Sequence, residues 1–543
     1  MAARDSYRGS QNHSHRSDSS GYSGRQSNSS YSSDHQGHPS SGSSRSSDHQ
    51  GRPSSGSSRS SGQAHSSGQA RSSGQAHSSG NYSGSSRGSG QRRFNDEPRE
   101  STLNELTSHL HAIDGRSYAA YKAIVGRYRS PLGWVLYIDR IQPDPYAPPT
   151  AIRVVLPLAL TGADARLTGF TPRLTGADTR PTGTNEPLTG TNSHLTASPT
   201  RAVALRDYLA RTLRELLKGQ AISIAPAGQE ILERSSVNLH ETWQDDFSTP
   251  AFNAPGPYLE LRLRWSLPAF GREIAGRQAA RNLNLDLARA VAGLDLRESE
   301  LGAEAWKHCQ VAEDHAALQE ILVERGWVAF LADGANLARR SGVSQLPLEG
   351  GVPLTAPETL AQTVQLPHAG AVRGTAIPAG VTVIAGGGYH GKSTLLNAIA
   401  RGIYPHIPGD GRELVATVPE AMAVRAADGR AVTGVDLRPF ISHLPGRDAD
   451  PAQFTTANAS GSTSQAASIM ESLELWGQPA QAALLLDEDT CATNLLIRDQ
   501  RMRALVSSER EPITPLVDRI RALHRERGIS TLIVMGGSGD YLD

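Results

Sequence analysis

The sequence predicts an α/β fold in its C-terminal part, an α+β block before it and a disordered tail at the N-terminus. Three observations carry this. The apolar, β-branched run Val381–Ala385 passes through a glycine-rich turn into a helix with an apolar face. A second continuous apolar run, Ala483–Leu486, ends in three acidic residues. That is the pattern of a buried parallel strand whose C-terminal end faces a ligand. Residues 1–95 contain no Leu, Ile or Val, so they cannot bury enough apolar area to offset chain entropy.

The tail is built from repeats. Ser32–Arg45 recurs almost unchanged at Ser46–Arg59, and a Ser-Ser-Gly-Gln-Ala unit follows from Ser60. The tail has arginine and the scattered tyrosines Tyr7, Tyr22, Tyr31 and Tyr82, but no lysine or glutamate. Arginine and aromatic side chains can bind RNA or phosphate. The charge is dilute and interrupted by aspartate, which favours a solvated tail grown by repeat slippage.

Residues 96–345 are expected to form the α+β domain. Its elements are a helix from Leu103 to Ile113, a strand from Gly133 to Ile138, a helix from Val203 to Leu217, the alternating strand Tyr258–Trp265 and a long helix around Gln278 to Leu294. Leu-Thr-Gly units at Leu160, Leu167, Leu174 and Leu188, with Thr, Gly and Pro between them, read as an inserted low-complexity loop at about 160–199. Arg272, Arg277, Arg339 and Arg340 could reach phosphate, although a solvated loop or helix end accounts for each one singly.

Residues 346–543 hold the chemistry. Gly386, Gly391, Lys392 and Ser393 fit G-x-x-x-x-G-K-[ST], between a strand and a helix. Glycines at 386, 387, 388 and 391 let the backbone turn its N–H groups onto phosphate. The helix beginning near Lys392 adds its positive end. Lys392 would neutralise the β- and γ-phosphates of ATP, and Ser393, followed by Thr394, would ligate Mg²⁺. A glycine-rich strand–helix turn with no ligand is the bland alternative, and the apolar flanks argue against it. At the second strand, Asp487 is placed to hold Mg²⁺ and Glu488 to orient or deprotonate the attacking water. The adjacent Asp-Glu pair and the lack of an Asn-Lys-x-Asp motif favour an ATPase over a GTPase. Between the two lies a Ser/Gly stretch leading into a helix whose apolar face carries Ala466, Ile469, Met470 and Leu473. Its start, at Ser460, Gly461 and Ser462, offers free N–H groups to an anion.

In this order, the segments GGGYHGKSTLL, ASGSTSQAA, LLLDEDTCATNLLIRD and GGSGDY resemble the predicted ATPases of the ABC class, a P-loop group distinct from transporter ATPases. The resemblance extends from about Thr102 to Asp543, apart from the insertion. It implies an ABC-type P-loop ATPase core, ATP binding, and an N-terminal domain peculiar to the group. Ser460, Gly461 and Ser462 would stand where ABC ATPases carry the signature loop, which completes the site of an opposite subunit. With one P-loop per chain, that requires a homodimer. Most ABC ATPases place a histidine at the position of Gly536–Tyr541. This chain has none there, and Ser538 or Asp540 could contact the γ-phosphate instead. Family chains usually continue past GGSGDY, so the ATPase domain is expected to be incomplete at its C-terminus.

Composition narrows the rest. Lys+Arg and Asp+Glu are equal at 54 each, so global charge does not argue for nucleic acid. RNA, associated with the group, stays a possible partner. Cys309 and Cys491 are the only cysteines, which excludes a disulfide framework or a cysteine-built zinc site. No apolar run is long enough to span a membrane, and the start lacks a secretory h-region. A cytoplasmic ATP hydrolase, with no transporter subunit, is the expected protein. The alternatives are an RNA-binding or scaffold protein that holds ATP as a structural ligand with little turnover, and a small-molecule kinase.

Overall fold

The structure is a computed structural model. It describes residues 99–163, 198–253, 256–297, 299–444, 450–477, 479, 481–507, 510–537 and 539–542. The tail expected at 1–95, and most of the insertion expected at 160–199, lie outside the described residues.

The N-terminal block opens with β1 (Arg99–Thr102) and α1 (Leu103–Ala112). Thr102 and Glu105 form a reciprocal capping box that fixes the start of α1. Next come β2 (Gly126–Arg129), β3 (Val135–Arg140), β4 (Thr150–Pro157) and α2 (Pro199–Leu216). Helix α2 starts four residues before its first expected position because Ser198 caps it and Pro199 presets its first turn. The block continues with β5 (Ile222–Ser223), β6 (Val237–His240), β7 (Tyr258–Trp265) and the hairpin β8 (Ala269–Phe270) and β9 (Glu273–Ile274). Seven strands make one sheet in the order β1-β2-β3-β4-β7-β5, with β6 also on β7. The period of two along the strands sends Leu136, Ile152, Val154, Leu259, Leu261 and Leu263 into the main core. On the other face, Tyr137, Val155 and Tyr258 pack under Trp243, Phe247 and Phe252.

The helix expected around 278–294 is present as α3 (Gly276–Arg281) and α4 (Ala288–Ala292), joined through a π-helical stretch, Asn282–Leu287. Asn282 lies at its start. Its amide donates to Asp286 at 2.9 Å and its oxygen accepts from the Trp265 indole at 3.4 Å.

Helix α5 (Glu300–Arg325) spans 26 residues, about 39 Å at 1.5 Å per residue. Its first half puts Ala305, Cys309 and Ala312 into the N-terminal core. Its second half puts Leu318 and Leu322 into the next core. Strands β10 (Trp327–Ala332), β11 (Ala361–Leu366), β12 (Gly370–Pro378) and β14 (Val415–Thr417) form an antiparallel sheet ordered β11-β12-β10-β14. This sheet draws strands from both sides of residue 346.

Strand β13 (Val381–Ala385) leads into α6 (Lys392–Arg401). After β14 come β15 (Ala421–Val424), the antiparallel pair β16 (Arg430–Val435) and β17 (Phe454–Ala459), and α7 (Gly461–Trp476). The chain closes with β18 (Ala482–Asp487), α8 (Thr493–Leu496), α9 (Gln500–Leu505), α10 (Ile520–Arg527) and β19 (Ile529–Met535). The fully parallel sheet runs β13-β19-β18-β15. Both faces of its central strands are covered. Ala483 and Leu485 of β18 enter the core shared with α6, while Leu484 and Leu486 enter the core under α7. This explains the unbroken apolar run.

The far end of α6 is held by the N-terminal block. Arg401 pairs with Glu230 at 2.6 Å. The Ile231 N–H donates to the Pro405 carbonyl at 2.7 Å, and the Ile407 N–H to Gln229 at 2.9 Å. From α5, the His315 Nε2–H donates to the carbonyl of Gly402, the cap of α6, at 2.9 Å. Burial holds His315 down at about 4, against the pull of that carbonyl. A histidine whose folded value lies below its ordinary 6.5 adds stability above that pH. The contribution fades as pH falls from 6.5 toward 4, and its full size is on the order of 3 kcal/mol. His315→Gln is therefore expected to flatten the acid-side loss of stability. Urea midpoints at neutral and mildly acidic pH would show this as a smaller difference between the two conditions than in wild type.

Candidate nucleotide site

The P-loop is a turn with two left-handed residues, Tyr389 at φ 62° and Gly391 at φ 85°. Gly391 caps α6 in that conformation, which a side chain would strain. No side chain caps α6, so the N–H groups of its first turn, including those of Ser393 and Thr394, stay available to a ligand. A Cβ added at Gly388 or Gly391 would meet open space, whereas at Gly387 it would lie 3.2 Å from the His390 ring. Lys392 is the first residue of α6, and its Nζ folds back to donate to the Gly387 carbonyl at 2.8 Å. Gly386 lies under the same side chain, since a Cβ there would sit 3.4 Å from Lys392 Cδ.

Strand β19 separates β13 from β18. Asp487 ends β18, and its side chain accepts from the Asp489 N–H at 3.2 Å. Glu488 follows, and its Oε2 accepts from the backbone N–H groups of Gly536 at 2.7 Å and Gly537 at 3.0 Å. Gly536 also lies against the P-loop. A Cβ there would be 3.3 Å from Lys392 Nζ and 3.4 Å from the Gly386 carbonyl. The exit of β19 is therefore bonded to Glu488 and lies close to Lys392, residues far apart in the chain. Tyr541 is buried nearby, and its hydroxyl is pushed up to about 12, first by burial and then by the charge of Glu488.

The sequence pattern points to Ser538 and Asp540 and gives no role to Gly536 and Gly537. Ser538 and the Asp540 side chain lie outside the described residues. The available signal was a pair of glycines directly after a buried strand.

Ser460 caps α7 and accepts from the Thr463 N–H at 3.4 Å. Gly461 begins the helix, and a Cβ there would come 3.2 Å from Asp428 Oδ1. The Ser462 hydroxyl donates to Asn494 Oδ1 at 2.5 Å, and the Ala492 N–H donates to Gln465 at 2.7 Å. These bonds tie the start of α7 to the stretch after Glu488. Among the described residues no hydrogen bond joins Ser460, Gly461 or Ser462 to the P-loop of the same chain. Of the arginines singled out from sequence, Arg339 is buried against Asp410 at 2.6 Å and Arg340 pairs with Glu349 at 2.6 Å. Arg277 reaches Asp114 at 3.4 Å.

A cleft of about 790 Å³ opens between β13, α10 and the stretch after α8, lined by Val381, Val383, Arg498, Arg503, Arg521 and Tyr541 among others. No P-loop residue lines it, so it is distinct from the Lys392–Glu488 region. Among the described residues no helix is long and apolar enough to cross a membrane.

Comparison with known proteins agrees with this arrangement. A family model described as the P-loop domain of ABC ATPases matches residues 302–543. Another, described as the N-terminal region of ATPases of the ABC class, matches residues 103–294. An uncharacterised protein of Methanocaldococcus jannaschii is 28% identical over 233 residues, which is 41% of this chain and 50% of that protein. The chain thus spans half the length of that curated relative. The P-loop domain implies nucleotide binding. With both models matching in order along most of its length, the chain belongs to the ATPases of the ABC class.

Proposed function

We propose that this protein binds ATP with Mg²⁺ on Gly386–Thr394 and hydrolyses it to ADP and phosphate. The observation that carries this reading is the meeting of Lys392 and Glu488 at the exit of β19. Lys392 exchanges its bond to the Gly387 carbonyl for the β- and γ-phosphates. The glycine N–H groups and the first turn of α6 hold the remaining phosphate oxygens. Ser393 and Asp487 supply the hydroxyl and carboxylate oxygens that suit Mg²⁺, which takes one or two carboxylates beside phosphate and water. When bound, the ion neutralises phosphate charge. Glu488 takes the proton of the attacking water, which adds to the γ-phosphorus as ADP leaves.

Ser460, Gly461 and Ser462 act in a second copy of the chain, where the start of α7 meets the γ-phosphate of the first. The bonds that turn the start of α7 toward Asn494 and Ala492, with none to its own P-loop among the described residues, support a composite site in a homodimer. ATP-driven closure of that dimer is the output. RNA is the macromolecule to test first, the cytoplasm is the proposed setting, and no transporter subunit is invoked. ATP as a structural ligand with little turnover is the second reading. It draws on the two backbone N–H groups that already donate hydrogen bonds to one oxygen of Glu488.

Lys392→Ala separates site from scaffold. Loss of a hydrogen bond to a charged group costs about 1.5–3 kcal/mol, so ATP affinity is expected to fall roughly 10- to 100-fold. Titration with a fluorescent ATP analogue would read this. Unchanged affinity would move the nucleotide away from the P-loop. Turnover measured with and without bulk RNA tests the coupling to RNA.

A further inference from the structure

We propose that Gly536 and Gly537 are the positioning residues for Glu488, holding its carboxylate by their backbone N–H groups. The inference rests on the ATPase reading of the site and adds how its base is aimed. Both N–H groups donate to the same oxygen, Oε2. That leaves Oε1 to accept from water. The carboxylate is thereby fixed at one end, and among the described residues no hydrogen bond holds the other, as a base that must face one direction requires.

The need for glycine comes from contact and not from backbone conformation. Neither residue has a positive φ, so alanine fits the main chain at both. At 537, however, a Cβ would lie 2.7 Å from Glu488 Oε1 and 3.4 Å from its Cδ. The carboxylate would have to move off its two donors. What moves is the far end of a flexible side chain, so the cost falls on the aim of the base and little on folding. At 536 a Cβ would lie 3.3 Å from Lys392 Nζ, so the same turn packs against the phosphate-binding lysine. Gly539, two residues further on, has nothing within 4 Å of a Cβ and serves as a control in the same loop.

The test is steady-state ATP hydrolysis by the full chain as wild type, Gly537→Ala, Gly539→Ala, Glu488→Gln and the Gly537→Ala/Glu488→Gln double variant. A displacement of about 1 Å can cost around 100-fold. Gly537→Ala is thus expected to lower kcat roughly 10- to 100-fold, with KM for ATP within about twofold of wild type and Gly539→Ala unaffected. The double variant is expected to be no slower than Glu488→Gln, because the turn acts through that carboxylate. Wild-type kcat in Gly537→Ala, or full additivity in the double variant, overturns the inference while leaving the ATPase reading intact. Absence of turnover in wild type overturns both. A second measurement needs no glycine variant. In Glu488→Ala, amide exchange at Gly536 and Gly537 is expected to speed at least tenfold, and unchanged exchange overturns the inference.

Discussion

Glu488→Gln is expected to lower ATP turnover by roughly 100- to 10,000-fold while leaving ATP affinity close to wild type. Glutamine keeps the length of the side chain and an oxygen for the N–H groups of Gly536 and Gly537, which hold the glutamate at 2.7 and 3.0 Å. It cannot accept a proton from water. The substitution therefore removes the base and spares the geometry. Because hydrolysis stops with ATP bound, the variant should also accumulate an ATP-dependent dimer, visible by light scattering. A loss of turnover smaller than about tenfold would place the base on another group.

The largest expected stability effect lies in the N-terminal block, at Asp207. Its side chain is fully buried on α2 and collects three side-chain partners. These are Arg211 at 2.6 Å, Arg234 at 2.5 Å and His308 of α5 at 3.1 Å. Burial pushes its carboxyl up. Hydrogen bonds from His308 and Arg211, with the charges of Arg211 and Arg234, outweigh burial and leave it below the usual aspartate value. Asp207→Ala leaves two guanidinium groups without their carboxylate in a packed interior. Breaking a buried pair in this way costs about 3–5 kcal/mol. Both arginines keep some contact with water, which pulls the expectation toward the lower end. Denaturant midpoints of wild type and variant measure it, and a loss under about 1 kcal/mol would show that water replaces the carboxylate. The sign of the pH dependence follows from the lowered carboxyl. Its contribution is present above the ordinary value of 3.8 and is lost as pH falls below it.

The nucleotide site was legible where chemistry and pattern coincide. Ala482–Asp487 is covered on both faces, and its unbroken apolar run announces that. Val381–Ala385 is an edge strand, half-buried through its centre, and its β-branched residues are what mark it. Tyr258–Trp265 matches its expected bounds: Leu259, Leu261 and Leu263 enter the main core, while Tyr258 and Glu260 are buried as well. The strand expected at Gly133–Ile138 starts instead at Val135, since Gly133, at φ 86°, is still in the turn. Helix α5 is not legible in the sequence for a physical reason. Only Leu318 and Leu322 of its buried stripe are large and apolar; Ala305, His308, Cys309, Ala312, Asp314 and His315 are small or polar and give little apolar periodicity. The hold of Gly536 and Gly537 on Glu488 was equally hidden. It depends on backbone groups brought together by a parallel strand order, and residue type alone does not report that order.

The central claim is that Lys392 and Glu488 act on one ATP. Phosphate release from ATP by the purified full chain, with and without Mg²⁺, tests it most directly beside Lys392→Ala and Glu488→Gln. The account predicts Mg²⁺-dependent turnover in wild type, lost through weakened binding in Lys392→Ala and through slowed chemistry in Glu488→Gln. Stoichiometric ATP binding by wild type without phosphate release, or equal turnover in all three proteins, would contradict it.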